Sequence, residues 1–213
     1  MRVGIIGSGQ VGQAMAKGFV KYGYEVQIGS RSPEKLAPFS ASLGIRTGTL
    51  AGVAEWAELV VLAVLGRGAE AALSECGADQ LESKVVIDTT NPISDERPDQ
   101  GVLRYFTPAN DSLMEQLQRL MPAVRFVKAF NSVGHAVMID PIFPEGRPTM
   151  FYCGNDGEAK AIVNRIISEF GWRGADMGGA PSARPIEALC QLWCVTGFLE
   201  HRWDDHAFHL MLR

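Results

Sequence analysis

The sequence predicts an α/β fold: a doubly wound, mostly parallel sheet with helices on both faces and a short carboxyl-terminal α/β extension. Three observations carry that expectation. The glycine loop Gly7-Ser8-Gly9-Gln10-Val11-Gly12 follows a β-rich apolar run and opens a helical pattern, which makes the start of the fold Rossmann-type. The apolar runs 59–64 and 85–87 lack the alternation of half-exposed strands, as befits strands covered on both faces. Strand-like and helix-like segments alternate along the whole chain, which is how a parallel sheet is wound.

Taken in order, residues 2–6 read as the first strand. Val11, Met15, Phe19 and Val20 then form one apolar stripe of a helix that Gly23 ends. Residues 25–28 read as a second strand, and Pro33 suits the first turn of a helix running to about Leu43. Residues 113–121 are amphipathic, with Pro122 as a stop. Strands are expected at 126–127 and 150–152, a helix at 159–170 after the turn Gly154-Asn155-Asp156-Gly157, and a final long helix at 186–199. The proline-rich stretches 91–108 and 140–148 read as surface loops within one unit spanning 1–213, with 1–130 as the dinucleotide-binding core and 131–213 as the extension.

The chain has 213 residues, enough for a sizeable core, and an ordinary composition: 46% hydrophobic, 21% charged, net charge −4. That charge offers no electrostatic basis for nucleic-acid or membrane binding, and no apolar stretch approaches the ~20 residues that span a bilayer. A cytoplasmic protein acting on small molecules is the expectation. The helix at 186–199 has enough apolar surface for a homodimer contact, although core packing alone would also use it. Cys76, Cys153, Cys190 and Cys194 contain no C-x-x-C pair. Cys190 and Cys194, one helical turn apart, read as small buried hydrophobes rather than metal ligands.

In a G-x-G-x-x-G loop the first glycine makes the tight turn, the second lets backbone approach a pyrophosphate, and the third lets helix and strand pack closely. Free N–H groups and the helix dipole favour phosphate at that helix start. Gly7, Ser8, Gly9, Gln10, Val11 and Gly12 are therefore the candidate cradle. The tip of the second strand says which dinucleotide. A carboxylate there would accept from the ribose hydroxyls of NAD, but this chain has Gly29-Ser30-Arg31-Ser32-Pro33-Glu34-Lys35. A hydroxyl, a guanidinium and an ammonium (Ser30, Arg31 and Lys35) suit the 2′-phosphate of NADP(H). Ligands in open α/β sheets sit at the carboxyl ends of strands, so Ala63, Val64 and Leu65 are expected on the adenosine side. Asn91, Pro92 and Asn131 are expected around the nicotinamide. Asp88 reads as a strand-end cap.

The ordered series of motifs resembles a known family. Gly7-Ser8-Gly9, Gly29-Ser30-Arg31 and Asn91-Pro92 are similar to the NADP oxidoreductases that use the deazaflavin coenzyme F420. Val127-Lys128-Ala129-Phe130-Asn131, Cys153-Gly154-Asn155-Asp156, Glu158-Ala159-Lys160 and Asp176-Met177-Gly178 continue the match. They are especially similar to the NADPH-binding domain of the STEAP metalloreductases. The resemblance implies hydride transfer between NADPH and a second ring, F420 or a flavin such as FMN or FAD, in the same cleft, with residues after Asn131, His135 among them, on the second ring's side. It fixes the donor better than the acceptor, so an NADPH:flavin or ferric reductase stays open as an alternative. So does a non-catalytic NADP(H)-binding redox sensor.

No Tyr-x-x-x-Lys pair suggests short-chain dehydrogenase chemistry, and no G-x-S-x-G suggests a hydrolase. Hydride transfer between two rings needs alignment more than acid–base help, so no catalytic side chain is assigned and no metal site is expected. His201, His206 and His209 are expected in a solvated terminal tail.

Overall fold

The computed structural model describes residues 1–212. Six short strands form one sheet: β1 (Arg2–Ile6), β2 (Glu25–Gly29), β3 (Arg46–Gly48), β4 (Leu59–Leu62), β5 (Val85–Asp88) and β6 (Arg125–Lys128). All neighbours are parallel, in the order β3-β2-β1-β4-β5-β6. The order reverses direction between β1 and β4, and in such sheets that switch point opens the ligand crevice. The sheet is wound by α1 (Gln10–Lys21), α2 (Ala37–Leu43), α3 (Leu50–Trp56), α4 (Ala69–Cys76), the single turn α5 (Ala78–Leu81) and α6 (Leu113–Leu120).

The strands are short and apolar throughout because both faces are covered. Every residue of β4 and β5 is buried. Period-two alternation deals them to two cores: Leu59, Val61, Val85 and Ile87 pack on one face, and Val60, Leu62 and Val86 on the other. Each fully buried side chain of this kind contributes about 1.5–3 kcal/mol of transfer free energy.

Beyond β6 come β7 (Thr149–Tyr152), α7 (Gly157–Glu169), β8 (Arg173–Asp176) and α8 (Ala183–Glu200). β7 and β8 are a parallel pair, joined to the main sheet by an antiparallel bridge in which Lys128 and Cys153 exchange N–H···O=C bonds of 2.9 and 3.2 Å. Trp172, Phe170, Met150 and Val163 share one core with β1 and α1, so the last third of the chain packs on the first.

Beyond adding β3, α3, α4 and β8, for which no element was expected, the structure amends three expectations. The segment after Pro33 begins as a 3-10 turn over Pro33–Leu36 before α2 takes over. α8 starts at Ala183 rather than after Pro185, because a proline in a helix's first turn forfeits no intrahelical bond. The solvated tail is overturned for residues 206–210. Trp193 of α8 stacks on His206 (centroids 4.7 Å apart), donates from Nε1 to the His206 carbonyl, and accepts from His206 Nε2 at 2.9 Å. Stacking on the indole ring and a hydrogen bond to the Trp193 carbonyl hold that histidine against α8.

Candidate functional site

At the tip of β1 the glycines divide the work physically. Gly7 has φ +125°, and a Cβ there would lie 2.2 Å from the Ala63 carbonyl oxygen. A Cβ on Gly12 would lie 2.1 Å from the Gly7 carbonyl, so helix and strand touch through bare backbone. Gly9 differs: nothing lies within 4 Å of where its Cβ would stand. α1 begins there without a side-chain cap and without an acidic residue in its first turn. Its first N–H groups and the positive end of its dipole thus face open space beside Gly9, the arrangement that holds an anion.

The tip of β2 is drawn against this loop. Gly7 N–H donates to the Gly29 carbonyl at 3.1 Å, and Ser30 Oγ stands 3.3 Å from Ser8 Oγ. Ser30 is nearly buried and its Oγ also accepts from Ser32 N–H. Arg31 and Lys35 are exposed beside it. The Ser30 hydroxyl therefore stands next to the glycine loop, followed in the chain by the exposed Arg31, Glu34 and Lys35.

The tips of β4 and β5 meet through backbone. A Cβ on Gly66 would lie 2.0 Å from the Asn91 carbonyl, which explains a glycine directly after Ala63-Val64-Leu65. Leu65 is 71% exposed, an apolar side chain standing free at the mouth. Asn91 and Asn131 come together as expected of adjacent strand tips. Asn91 Nδ2 donates to the Asn131 carbonyl at 2.8 Å, and Asn131 Nδ2 donates to Asn91 Oδ1 at 2.9 Å and to the Ile186 carbonyl at 2.9 Å. Asn131 is buried, and its Oδ1 has no partner. Pro92, the next residue, is buried.

A family model described as NADP oxidoreductase, coenzyme F420-dependent, matches residues 2–92. The crystal structure of a protein from Arthrobacter sp. FB24, provisionally described as an F420-dependent NADP reductase, aligns over 99% of both chains at 32% identity with a TM-score of 0.90. The chain belongs to this family of NADP oxidoreductases. Rat metalloreductase STEAP3 is 34% identical over 190 residues, which is 88% of this chain and 36% of that protein. The F420-dependent NADP reductase of Methanocaldococcus jannaschii is 31% identical over 115 residues, 54% of this chain and 51% of that one. The matched region thus spans about a third of the rat protein's length and half of the archaeal one's.

In this NADP oxidoreductase family member the strand tips also hide a charge cluster that the sequence reading missed. Lys128, at the end of β6, has no exposed side-chain surface. Its Nζ meets Asp88 Oδ2 at 2.7 Å, Glu187 Oε1 at 2.8 Å and the Thr90 carbonyl at 2.8 Å. The Asp88 contact is an ion pair rather than an aligned hydrogen bond, while Asp88 Oδ1 accepts from both Thr90 N–H and Thr90 Oγ. Asp88 does cap its strand end, and it is also a counter-ion. Glu187 accepts from the N–H groups of Leu113 and Met114, so the start of α6 helps to neutralise it. Burial alone pushes the Lys128 ammonium down, but the two carboxylates outweigh it and hold the pKa above the ordinary lysine value.

His135 is exposed on a 3-10 turn and does not reach the asparagines' bond network; it lines a cleft of about 510 Å³ with Gln10, Gln13, Lys17, Lys21 and Asp140. That cleft runs along α1 from the glycine loop. Lys21 and Tyr22 both bond Asp140 there, and their hydrogen bonds lower its pKa. Among the described residues no group of histidines, cysteines and carboxylates is gathered for a metal ion, and no helix is long and apolar enough to cross a membrane.

Proposed function

We propose that this protein transfers hydride between NADP(H) and a deazaflavin (F420) or flavin (FMN or FAD) acceptor. The carrying observation is the uncapped start of α1 beside Gly9, set against a β2 tip that offers Ser30, Arg31 and Lys35 in place of a carboxylate. These residues fit the nucleotide: open space at Gly9 admits a pyrophosphate, and the cations match a 2′-phosphate. In this reading Gly7, Ser8, Gly9, Gln10, Val11 and Gly12 cradle the pyrophosphate. Ser30, Arg31 and Lys35 hold the 2′-phosphate. Ala63, Val64 and Leu65 flank the adenosine side, and Asn91, Pro92 and Asn131 frame the nicotinamide. Bound there, the dinucleotide supplies or accepts the hydride. The asparagine amides add no charge beside a ring that is cationic when oxidised, and the unpartnered Asn131 Oδ1 is an acceptor suited to a carboxamide N–H.

The same proposal makes 1–213 one working unit, cytoplasmic, without nucleic-acid or membrane partners, and homodimeric through the outer face of α8, where Leu192 and Leu199 are exposed. The deciding experiment mixes the purified protein with NADPH and oxidised F420, FMN or FAD and follows both chromophores. Stoichiometric loss of NADPH with reduction of the acceptor supports the reading. Tight NADPH binding with no transfer to any acceptor overturns it in favour of a sensor. A second reading, an NADPH:flavin or ferric reductase, is favoured by the STEAP3 match across 88% of the chain. Turnover with FMN or FAD and a ferric chelate, but not with F420, selects it.

A further inference from the structure

We infer that Lys128 is a positioning residue that holds the Asn91–Asn131 wall of the cleft in register from behind. The inference rests on the placement of those asparagines at the nicotinamide proposed above.

The bonds close into a circuit. From Lys128 Nζ it runs to the Thr90 carbonyl, along the chain to Asn91, across the paired amides to Asn131, from Asn131 Nδ2 to the Ile186 carbonyl, along the chain to Glu187, and back to Lys128. Three oxygens surround the Lys128 ammonium: it donates to the Thr90 carbonyl and is ion-paired with Asp88 at the end of β5 and with Glu187 of α8. Thr90 is gripped at its N–H, its hydroxyl and its carbonyl, so the residue that follows has little freedom to swing.

Stability alone does not explain such a cluster, since well-packed apolar side chains often serve as well or better than a buried ion pair. What charges add is direction: a methionine fills the space but does not specify where the Thr90 carbonyl points. α8 has other anchors. Arg184 makes a bidentate pair with Glu115 at 2.6 and 2.9 Å, Tyr105 Oη donates to the Glu187 carbonyl at 2.6 Å, and Gln191 Nε2 donates to the Leu103 carbonyl at 2.8 Å. The helix therefore stays docked when the circuit is cut. The Ser30–Arg31 tip lies across β1 and β4 from it, so 2′-phosphate binding is insulated.

The test uses Lys128→Met in the full chain, with two readouts. Hydrogen–deuterium exchange without nucleotide is expected to rise about tenfold or more in peptides covering 89–92 and 131–133, and to stay unchanged in α1 and β2. Single-turnover hydride transfer from saturating NADPH to F420 or FMN is expected to slow about ten- to a hundredfold, with the NADPH dissociation constant held within about threefold. Unchanged exchange at those peptides overturns the inference. So does a local rise in exchange with an unchanged rate, or a loss of affinity equal to the loss of rate with exchange rising everywhere. Should Lys128→Met not fold, Glu187→Gln, which removes one charge and keeps the side-chain shape, is judged by the same criteria. If the wild type transfers no hydride to any deazaflavin or flavin, the proposed function falls, and the exchange readout alone still decides whether Lys128 holds the wall.

Discussion

The tip of β2 and the tips of β5 and β6 border the same crevice and are built on opposite principles. Around Ser30 the backbone is tight and the side chains are loose: glycines pass at van der Waals contact while Arg31 and Lys35 stand in solvent. Around Asn131 the side chains are locked, with amides bonded to each other and Lys128, Asp88 and Glu187 sealed behind them. Exposed cations retain their freedom until a polyanion arrives, which suits capture of a phosphate. A pre-bonded wall loses no conformational entropy on binding, which suits alignment of a reacting ring.

Breaking the locked region should cost most. Glu187→Ala leaves Lys128 with one carboxylate and strips the acceptor from the Leu113 and Met114 N–H groups. Removing one partner of a buried ionic set costs about 3–5 kcal/mol. Thermal unfolding should show a fall in Tm on the order of 10 °C; a loss of only a degree or two would mean that the cluster is not tightly held.

The backbone of the open region comes next. Gly7→Ala imposes a φ near +125° on a residue with a Cβ and drives that Cβ into the Ala63 carbonyl. The dihedral alone costs about 1–3 kcal/mol, readable as a lower urea midpoint. Gly9→Ala, with φ −72° and nothing within 4 Å, should unfold like wild type. Its defect should appear only in isothermal titration with NADP⁺, as weaker binding. If both variants unfold alike, the division of labour within the loop is wrong.

Arg31→Ala tests the loose side chains. A charge-assisted hydrogen bond contributes roughly 1.5–3 kcal/mol, so NADPH should bind about ten- to a hundredfold more weakly, with NADH affinity and Tm both unchanged. Equal weakening of the two nucleotides would remove the 2′-phosphate from this tip.

The smallest effect belongs to a surface cluster of three side chains that serves as a control for both regions. The Asp140 carboxyl is held below its ordinary value by hydrogen bonds from Lys21 and Tyr22. A lowered folded-state pKa adds stability above the ordinary carboxylate range and loses it as pH falls through the lowered value. Asp140→Asn should therefore lower Tm slightly at about pH 6, and the difference should shrink toward about pH 3. A gap that widens on acidification would reverse the assignment.

The two regions also differed in how far they could be read from residues alone. Glycine spacing and the Gly29-Ser30-Arg31 tip are local signals, because each acts on its own stretch of backbone or on solvent. Lys128 and Glu187 are 59 positions apart and meet only once α8 has folded back over β6. A lysine in an apolar run and a glutamate in a mostly apolar helix carry no pattern that pairs them. β3 (Arg46–Gly48) escaped for a different reason: it has no apolar run, and it pairs through backbone with β2 at the sheet's edge. His206 was misplaced because a tail's fate depends on what surface it meets, here Trp193.

The residues that meet Trp193 go on to do something of another kind. Thr149 N–H donates to the Phe208 carbonyl and Thr149 Oγ accepts from Leu210 N–H, on the side of β7 turned away from β8, while Cys153 closes the far end of that side against Lys128. An unpaired strand edge is a template on which other molecules add strands. Here the chain occupies that template with its own backbone. Cutting after Glu200 would leave the glycine loop and the asparagine wall intact, so a fresh preparation should still bind nucleotide. Its failure would come on storage, as slow growth of β-rich aggregates seeded at Thr149.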